Sequence, residues 1–272
     1  SRPWDLIVQL HGSGNYINDF MFQMDSSAYA GFYPAGQQPP RDSGFVVWPE
    51  AGHEIERLKR VVLNLGAPDC GSELEYPVSN QDLQDAWFFL ASHDLLHKPF
   101  VCLHPGGRSH SRRWSIEKYA ALADRFVQAG FSVVITGASE ERDLADLLII
   151  NSENQDQIVS AIGKTTLGSV GGILLHSRLL VSNDTGISHI ATGLKVPSVL
   201  IVLGSEPQRW APLHQRRHVR VMADVACRPC YHFACPIGFL CEHQVDVDIV
   251  WQAAEKHLLG HHLHIPHVAL GA

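Results

Sequence analysis

Along most of the chain, short apolar runs alternate with stretches whose apolar positions recur at helical spacing. Residues 4–10 (WDLIVQL) predict a buried strand running into His11-Gly12-Ser13-Gly14. Residues 53–65 predict a helix closed by Gly66, with Pro68 just beyond, and 80–96 predict a second. Lys98-Pro99 then breaks the pattern and is the expected domain boundary. From there the alternation is regular. Strands are expected at 100–104, 131–136, 158–162, 179–182 and 198–203, and helices at 115–128, from 139, at 166–176, 185–194 and 245–259. In 115–128 the apolar residues Ile116, Tyr119, Ala120, Ala123, Phe126 and Val127 fall on one helical face. Gly168, Gly171 and Gly172 weaken the pattern at 166–176. Strands separated by helices mean βαβ units and a parallel sheet. The expected fold class is therefore α/β, with a doubly wound domain from residue 99 to about 260. Residues 1–98 hold two or three strands at most, too few for a complete open sheet, and 261–272 form a His-rich tail.

Composition narrows the function classes. The 272 residues are 45% hydrophobic and 18% charged, an ordinary globular balance that excludes intrinsic disorder. No apolar run nears the roughly 20 residues of a membrane span. The net charge of −7 argues against general nucleic-acid binding, which rests on phosphate neutralisation by Lys and Arg. The chain opens Ser1-Arg2-Pro3, with neither a methionine nor a signal-peptide core, as a processed chain or a fragment would. Of the 6 cysteines, Cys70 and Cys102 stand alone, while Cys227, Cys230, Cys235 and Cys241 cluster. That spacing suits free thiols or a structural zinc or iron–sulfur cluster, although it is not the common paired CxxC arrangement. Five of the 17 histidines (His257, His261, His262, His264 and His267) lie near the C-terminus, a weaker metal candidate.

Open α/β sheets bind ligands at the carboxyl ends of their strands, beside helix N-termini. Three segments fall there. His104-Pro105-Gly106-Gly107-Arg108, continuing to Arg112-Arg113-Trp114, combines glycines that admit close backbone approach with guanidinium groups that grip phosphate. A lone glycine turn with solvated arginines is the plainer reading; so many arginines in an acidic chain favour an anion site. In Ser182-Asn183-Asp184-Thr185-Gly186-Ile187-Ser188-His189, Asp184 or Asn183 is the expected N-cap. The N–H groups of Thr185 and Gly186, the Thr185 hydroxyl and His189 would converge on a diphosphate. At Gly137-Ala138-Ser139-Glu140-Glu141, Glu140 is placed to take ribose hydroxyls, or simply to favour a helix first turn.

These residues resemble glycosyltransferase family 9, the ADP-heptose:lipopolysaccharide heptosyltransferases. The likeness is carried by HPGGRSHSRRWSIEKYAALADRF, by VVITGASEE, by the block from IGKTTLGSVGG to VLGSEPQRWAP, and by the C-x2-C-x4-C-P cluster, with SNDTG…H the most specific part. It covers residues 100 to 258 well and 4 to 66 more weakly. The resemblance implies a GT-B architecture of two Rossmann-like domains, the first expected to be truncated, with the nucleotide-sugar donor on the second. It implies donor binding by Gly106, Gly107, Arg112, Glu140, Asp184, Thr185, Gly186 and His189. Arg112 stands where the family has a phosphate-binding lysine, which keeps the charge and changes the geometry. The family's catalytic base is an acidic residue near the start of its first domain; this chain is expected to begin beyond that region, so no catalytic residue is assigned. His11 has only its strand-end position to mark it. The implied reaction is inverting transfer of a sugar, heptose from ADP-heptose, to a lipopolysaccharide core or related glycan. No metal is required, and the setting is cytoplasmic with at most peripheral contact at the inner membrane face. Three alternatives remain open on the sequence: a non-catalytic nucleotide-sugar-binding protein, a GT-B-like sugar-nucleotide epimerase, and a metal-dependent interaction module centred on the cysteine cluster. The cysteine cluster is expected to be structural and distant from the donor.

Overall fold

The computed structural model describes residues 3–40 and 44–260. It divides into two compact units, Ser1–Glu73 with Pro207–Trp210, and Leu74–Glu206 with Ala211–Ala272.

The first unit is a small parallel sheet of order β1-β2-β3. Its elements are β1 (Ile7–Val8), α1 (Ile17–Met21), β2 (Tyr29–Tyr33), β3 (Phe45–Val47) and α2 (Glu54–Asn64). The strand expected over 4–10 shrinks to a two-residue edge strand. Trp4, Leu6, Val8 and Leu10 are exposed and Gln9 is buried, its Oε1 accepting from the Phe32 N–H at 3.2 Å. Helix α2 begins on His53, whose ring accepts from the Ile55 N–H, and packs Val61 against Ala30, Phe32 and Trp48. Residues 207–210 belong here because Arg209 holds Glu54 through Nε (2.7 Å) and Nη2 (3.0 Å) and lies over the rings of Trp48 and Trp210.

The second unit holds α3 (Asn80–Ser92), β4 (Phe100–His104), α4 (Ile116–Gln128), β5 (Ser132–Ile135), α5 (Arg142–Asn151), β6 (Ile158–Ser160), α6 (Leu167–His176), β7 (Leu180–Asn183), α7 (Gly186–Gly193) and β8 (Ser198–Ile201). After α8 (Pro207–Trp210), the segment of the first unit, come β9 (His218–Val221), α9 (Leu240–His243) and α10 (Val247–Gly260). All six strands are parallel, in the order β6-β5-β4-β7-β8-β9. One sheet face packs Val101, Leu103, Val133, Ile135, Val181 and Val199 against α4, α5 and α10. The other packs Cys102, Val134 and Leu180 against α3, α6 and α7. With both faces covered, these strands read as continuous apolar runs.

The compact units part at Glu73, ahead of the Lys98-Pro99 break read from the sequence. Helix α3 causes this. The glycines that weaken the α6 pattern form its seat: a Cβ on Gly172 would lie 2.6 Å from the Ala86 Cβ, and one on Gly168 would overlap the Asp82 carboxylate. Close approach of the two helices outweighs the cost of glycine in a helix.

His218, at the start of β9, is 1% exposed and shares a 2.8 Å hydrogen bond between Nδ1 and the Ser198 hydroxyl. Burial, then the nearby Arg217, His257 and His214, push its pKa down to about 4. An unfolded histidine titrates near 6.5, so the unfolded chain binds more protons between those values. Stability is therefore expected to fall as pH drops from about 6.5 towards 4. Half-buried His104 is shifted in the same direction. The thermal midpoint of His218→Gln should fall less than the parent's between pH 6.5 and 5; parallel curves would exclude His218 as a source of acid sensitivity.

Candidate functional site

The chain leaves β4 for β5 and β6 on one side, then crosses to β7 on the other side of β4. This order puts the topological switch point of the sheet between β4 and β7, where open α/β sheets form their ligand crevice. The glycine loop after β4 and the Asp184-Thr185-Gly186 turn after β7 emerge side by side there, with His104 paired in register with Ser182.

Asn183 joins them. It is fully buried; its Oδ1 accepts from the Trp114 N–H (3.0 Å), and its Nδ2 donates to the carbonyls of Pro105 (2.8 Å) and Gly106 (3.0 Å). Asn183 is thus a clamp and not a helix cap. The N-cap of α7 is Thr185, in extended conformation (φ −144°, ψ 177°) and with no side-chain cap hydrogen bond. Its hydroxyl donates to the Asn183 carbonyl at 3.4 Å. Asp184 accepts from the Ser205 hydroxyl. Gly186 is exposed, with nothing within 4 Å of the place a Cβ would take. His189 lies one turn into α7 and is half-buried. An α-helix N-terminus opening onto free space, with no side chain capping it, suits an anion.

The three arginines part company. Arg108 is exposed. Arg113 donates through Nε to the Gly107 carbonyl at 2.6 Å and so serves the loop. Arg112 is half-buried in a 3-10 turn (His110–Arg112), with its Cγ 3.5 Å from where a Gly204 Cβ would stand. Its guanidinium makes no hydrogen bond or ion pair among the described residues, and the residue after Gly204, Ser205, is the one bonded to Asp184. Trp114 is buried behind this turn, its Nε1 donating to the Val245 carbonyl at 2.8 Å.

Of the two acidic residues after β5, Glu140 is exposed, and it is Glu141 that reaches the glycine loop. Its Oε1 accepts from the Gly107 N–H and its Oε2 from the Ala138 N–H, each at 2.9 Å. The sequence singled out Glu140 for the ribose; which carboxylate reaches the glycine loop is decided by the 3-10 turn Ser139–Glu141. His104 also went unassigned. Its Nδ1 lies 3.1 Å from the Thr136 hydroxyl, and burial lowers its pKa against the opposing pull of Glu141. Its place at the end of β4 was the available signal.

The cysteine segment is not remote from this site. The Cys230 N–H donates to the Gly204 carbonyl at 2.6 Å, and the Ser111 N–H donates to the Phe233 carbonyl at 3.0 Å, so the segment lies against the Arg112 turn. All four of its thiols are free: Cys227 is exposed, Cys230 and Cys235 half-buried, Cys241 buried. Among the described residues no three His, Cys, Asp or Glu side chains, those of the four clustered cysteines included, form a group able to hold a metal. His257 is buried on α10; His261, His262, His264 and His267 lie outside the described residues. No helix among the described residues is long and apolar enough to cross a membrane.

The family model for glycosyltransferase family 9 (heptosyltransferase) matches residues 47–240. The chain belongs to this family. Lipopolysaccharide heptosyltransferase 2 of Salmonella typhimurium is 27% identical over 169 residues, 61% of this chain and 47% of that protein. The family 9 chain spans about half the length of the curated relatives it matches. Its fold is similar to a family 9 glycosyltransferase from Veillonella parvula (TM-score 0.77, 20% identity, covering 94% of this chain and 74% of that one). It is also similar to ADP-heptose lipopolysaccharide heptosyltransferase II of Escherichia coli (TM-score 0.71, 16% identity, 94% and 76%). The α/β architecture with parallel sheets is thus that of the GT-B heptosyltransferases.

Proposed function

We propose that the second unit binds the nucleotide-sugar donor of an inverting heptosyltransferase, and that the protein transfers heptose from ADP-heptose to a lipopolysaccharide core or related glycan. The observation that carries this reading is the uncapped N-terminus of α7 at the sheet's switch point, beside a glycine loop. Family membership supplies the substrate class. In the reaction an acceptor hydroxyl attacks the anomeric carbon, the bond to the β-phosphate oxygen breaks, and negative charge grows on the departing diphosphate. The N–H groups of Thr185 and Gly186, the Arg112 guanidinium and His189 meet that charge. Glu140 is left for the ribose hydroxyls. The transfer needs no cofactor, no nucleic acid takes part, and contact with a lipid-linked acceptor is peripheral, from the cytoplasmic side.

The test is calorimetric titration of ADP and ADP-heptose into the parent, Asp184→Ala and His189→Ala proteins, with product analysis. Each variant should weaken binding roughly tenfold or more, the worth of a charge-assisted hydrogen bond, with little change in thermal midpoint. Parental affinity in both variants would refute the site. Release of nucleotide and an epimerised sugar without acceptor would assign an epimerase instead.

A further inference from the structure

Between β9 and α9 the chain forms no strand or helix, yet its backbone is pinned. The Arg228 guanidinium donates to the carbonyls of Val202 (2.9 Å), Leu203 (2.9 Å) and Ala223 (2.7 Å). The Cys230 N–H donates to the Gly204 carbonyl. Ser111 donates through its N–H to the Phe233 carbonyl (3.0 Å) and through its hydroxyl to the His232 carbonyl (2.5 Å). While the backbone is committed to these bonds, the large side chains face out. Tyr231 is 85% exposed, Phe233 62%, Ile237 52% and Leu240 50%. A single exposed apolar residue needs no explanation; four within ten residues of one pinned loop mark a contact surface.

Charge decides what such a surface can meet. The Arg112 turn lies against this loop, with the His110 and Phe233 ring centroids 5.4 Å apart. Neither 104–116 nor 225–241 contains an aspartate or glutamate, although the chain carries 28 of them. Arg108, His110 and His232 are exposed there. Of the carboxylates flanking the two segments, Glu242 is buried and paired with Lys118 at 2.9 Å, while Asp224 and Glu117 are exposed just beyond their ends. A chain of net charge −7 is repelled by an anionic bilayer unless it presents a face of this kind. The loop offers a protein partner neither a strand edge nor a helix face to pair with. Aromatic and aliphatic tips beside cations suit a bilayer interface, where the tips insert and the cations meet the headgroups.

We propose that residues 231–240, with Arg108 of the neighbouring loop, dock the protein on an anionic bilayer surface. The proposal rests on the functional reading above for its purpose, access to a lipid-linked acceptor; the surface itself follows from exposure and charge. Docking through this loop brings the Arg112 turn, and with it the donor site, close to the headgroups.

The experiment is co-sedimentation of the full chain with vesicles of phosphatidylglycerol and phosphatidylcholine in equal parts, and with phosphatidylcholine alone, beside ADP titration and sedimentation velocity without lipid. The parent should bind the mixed vesicles about tenfold more tightly than the neutral ones, and less tightly as salt rises. Tyr231→Ser/Ile237→Ser should lose roughly tenfold in affinity, and Tyr231→Trp should keep or gain it. Arg108→Glu should weaken binding to the mixed vesicles alone. These side chains are exposed, so thermal midpoints and ADP affinity should stay near the parent's. A parent that binds neither vesicle, or both equally, would overturn the proposal. So would parental vesicle binding in the double variant or in Arg108→Glu. A parent that self-associates while the double variant stays monomeric would assign the face to a second copy of the chain instead. Vesicle binding without ADP binding would support this surface and overturn the donor-site reading; ADP binding without vesicle binding would do the reverse.

Discussion

Asn183→Ala is expected to lower the unfolding free energy by about 3–4 kcal/mol, because it strands three buried backbone groups at once. The Trp114 N–H and the carbonyls of Pro105 and Gly106 all depend on this one amide, in a place water does not reach. A buried polar group left unpaired costs roughly 1–3 kcal/mol, and the three losses overlap because the loop relaxes as a unit. Asn183→Asp should be at least as harmful. It keeps the acceptor for Trp114 and sets a carboxylate oxygen against two carbonyls. Urea unfolding of both variants measures the effect, and a loss below about 1 kcal/mol would mean that Glu141 and Arg113 suffice to hold the loop. Donor affinity should fall in step, since the same amide ties the β4 loop to the strand that carries Asp184.

Arg112→Ala should weaken ADP binding by roughly 1.5–3 kcal/mol, or about ten- to a hundredfold. Its guanidinium has no partner among the described residues, whereas Arg113 is committed to the Gly107 carbonyl and Arg108 is exposed. Arg112→Lys should keep much of the affinity, since an ammonium supplies the same charge without the forked geometry. Arg113→Ala should show mainly a lowered thermal midpoint, with a smaller change in affinity than Arg112→Ala. Titrations at fixed salt separate the three, because a purely ionic contribution would fade as salt rises. Parental affinity in Arg112→Ala would reduce this turn to a solvated loop.

What the sequence determined by itself was the βα alternation and the segments that bear chemistry. Strand β4 falls on 100–104 as predicted, and helix α4 begins on the expected Ser115, because both depend on local patterning and capping. The HPGG and SNDTG segments could be placed at strand ends for the same reason, since a strand followed by a helix N-terminus is a local event. The edge strand β1 was read as buried because an apolar run does not say whether anything lies against it. Strands β2, β3 and β9 were not predicted: their pairing is set by partners distant in sequence. The order β6-β5-β4-β7-β8-β9 is a tertiary fact, and it alone brings residues 104–107 beside 182–186. The same holds for Glu141 over Glu140, for Asn183 as clamp in place of cap, and for the cysteine segment lying against the Arg112 turn. Each depends on which groups meet from positions far apart along the chain, and local periodicity carries no information about that.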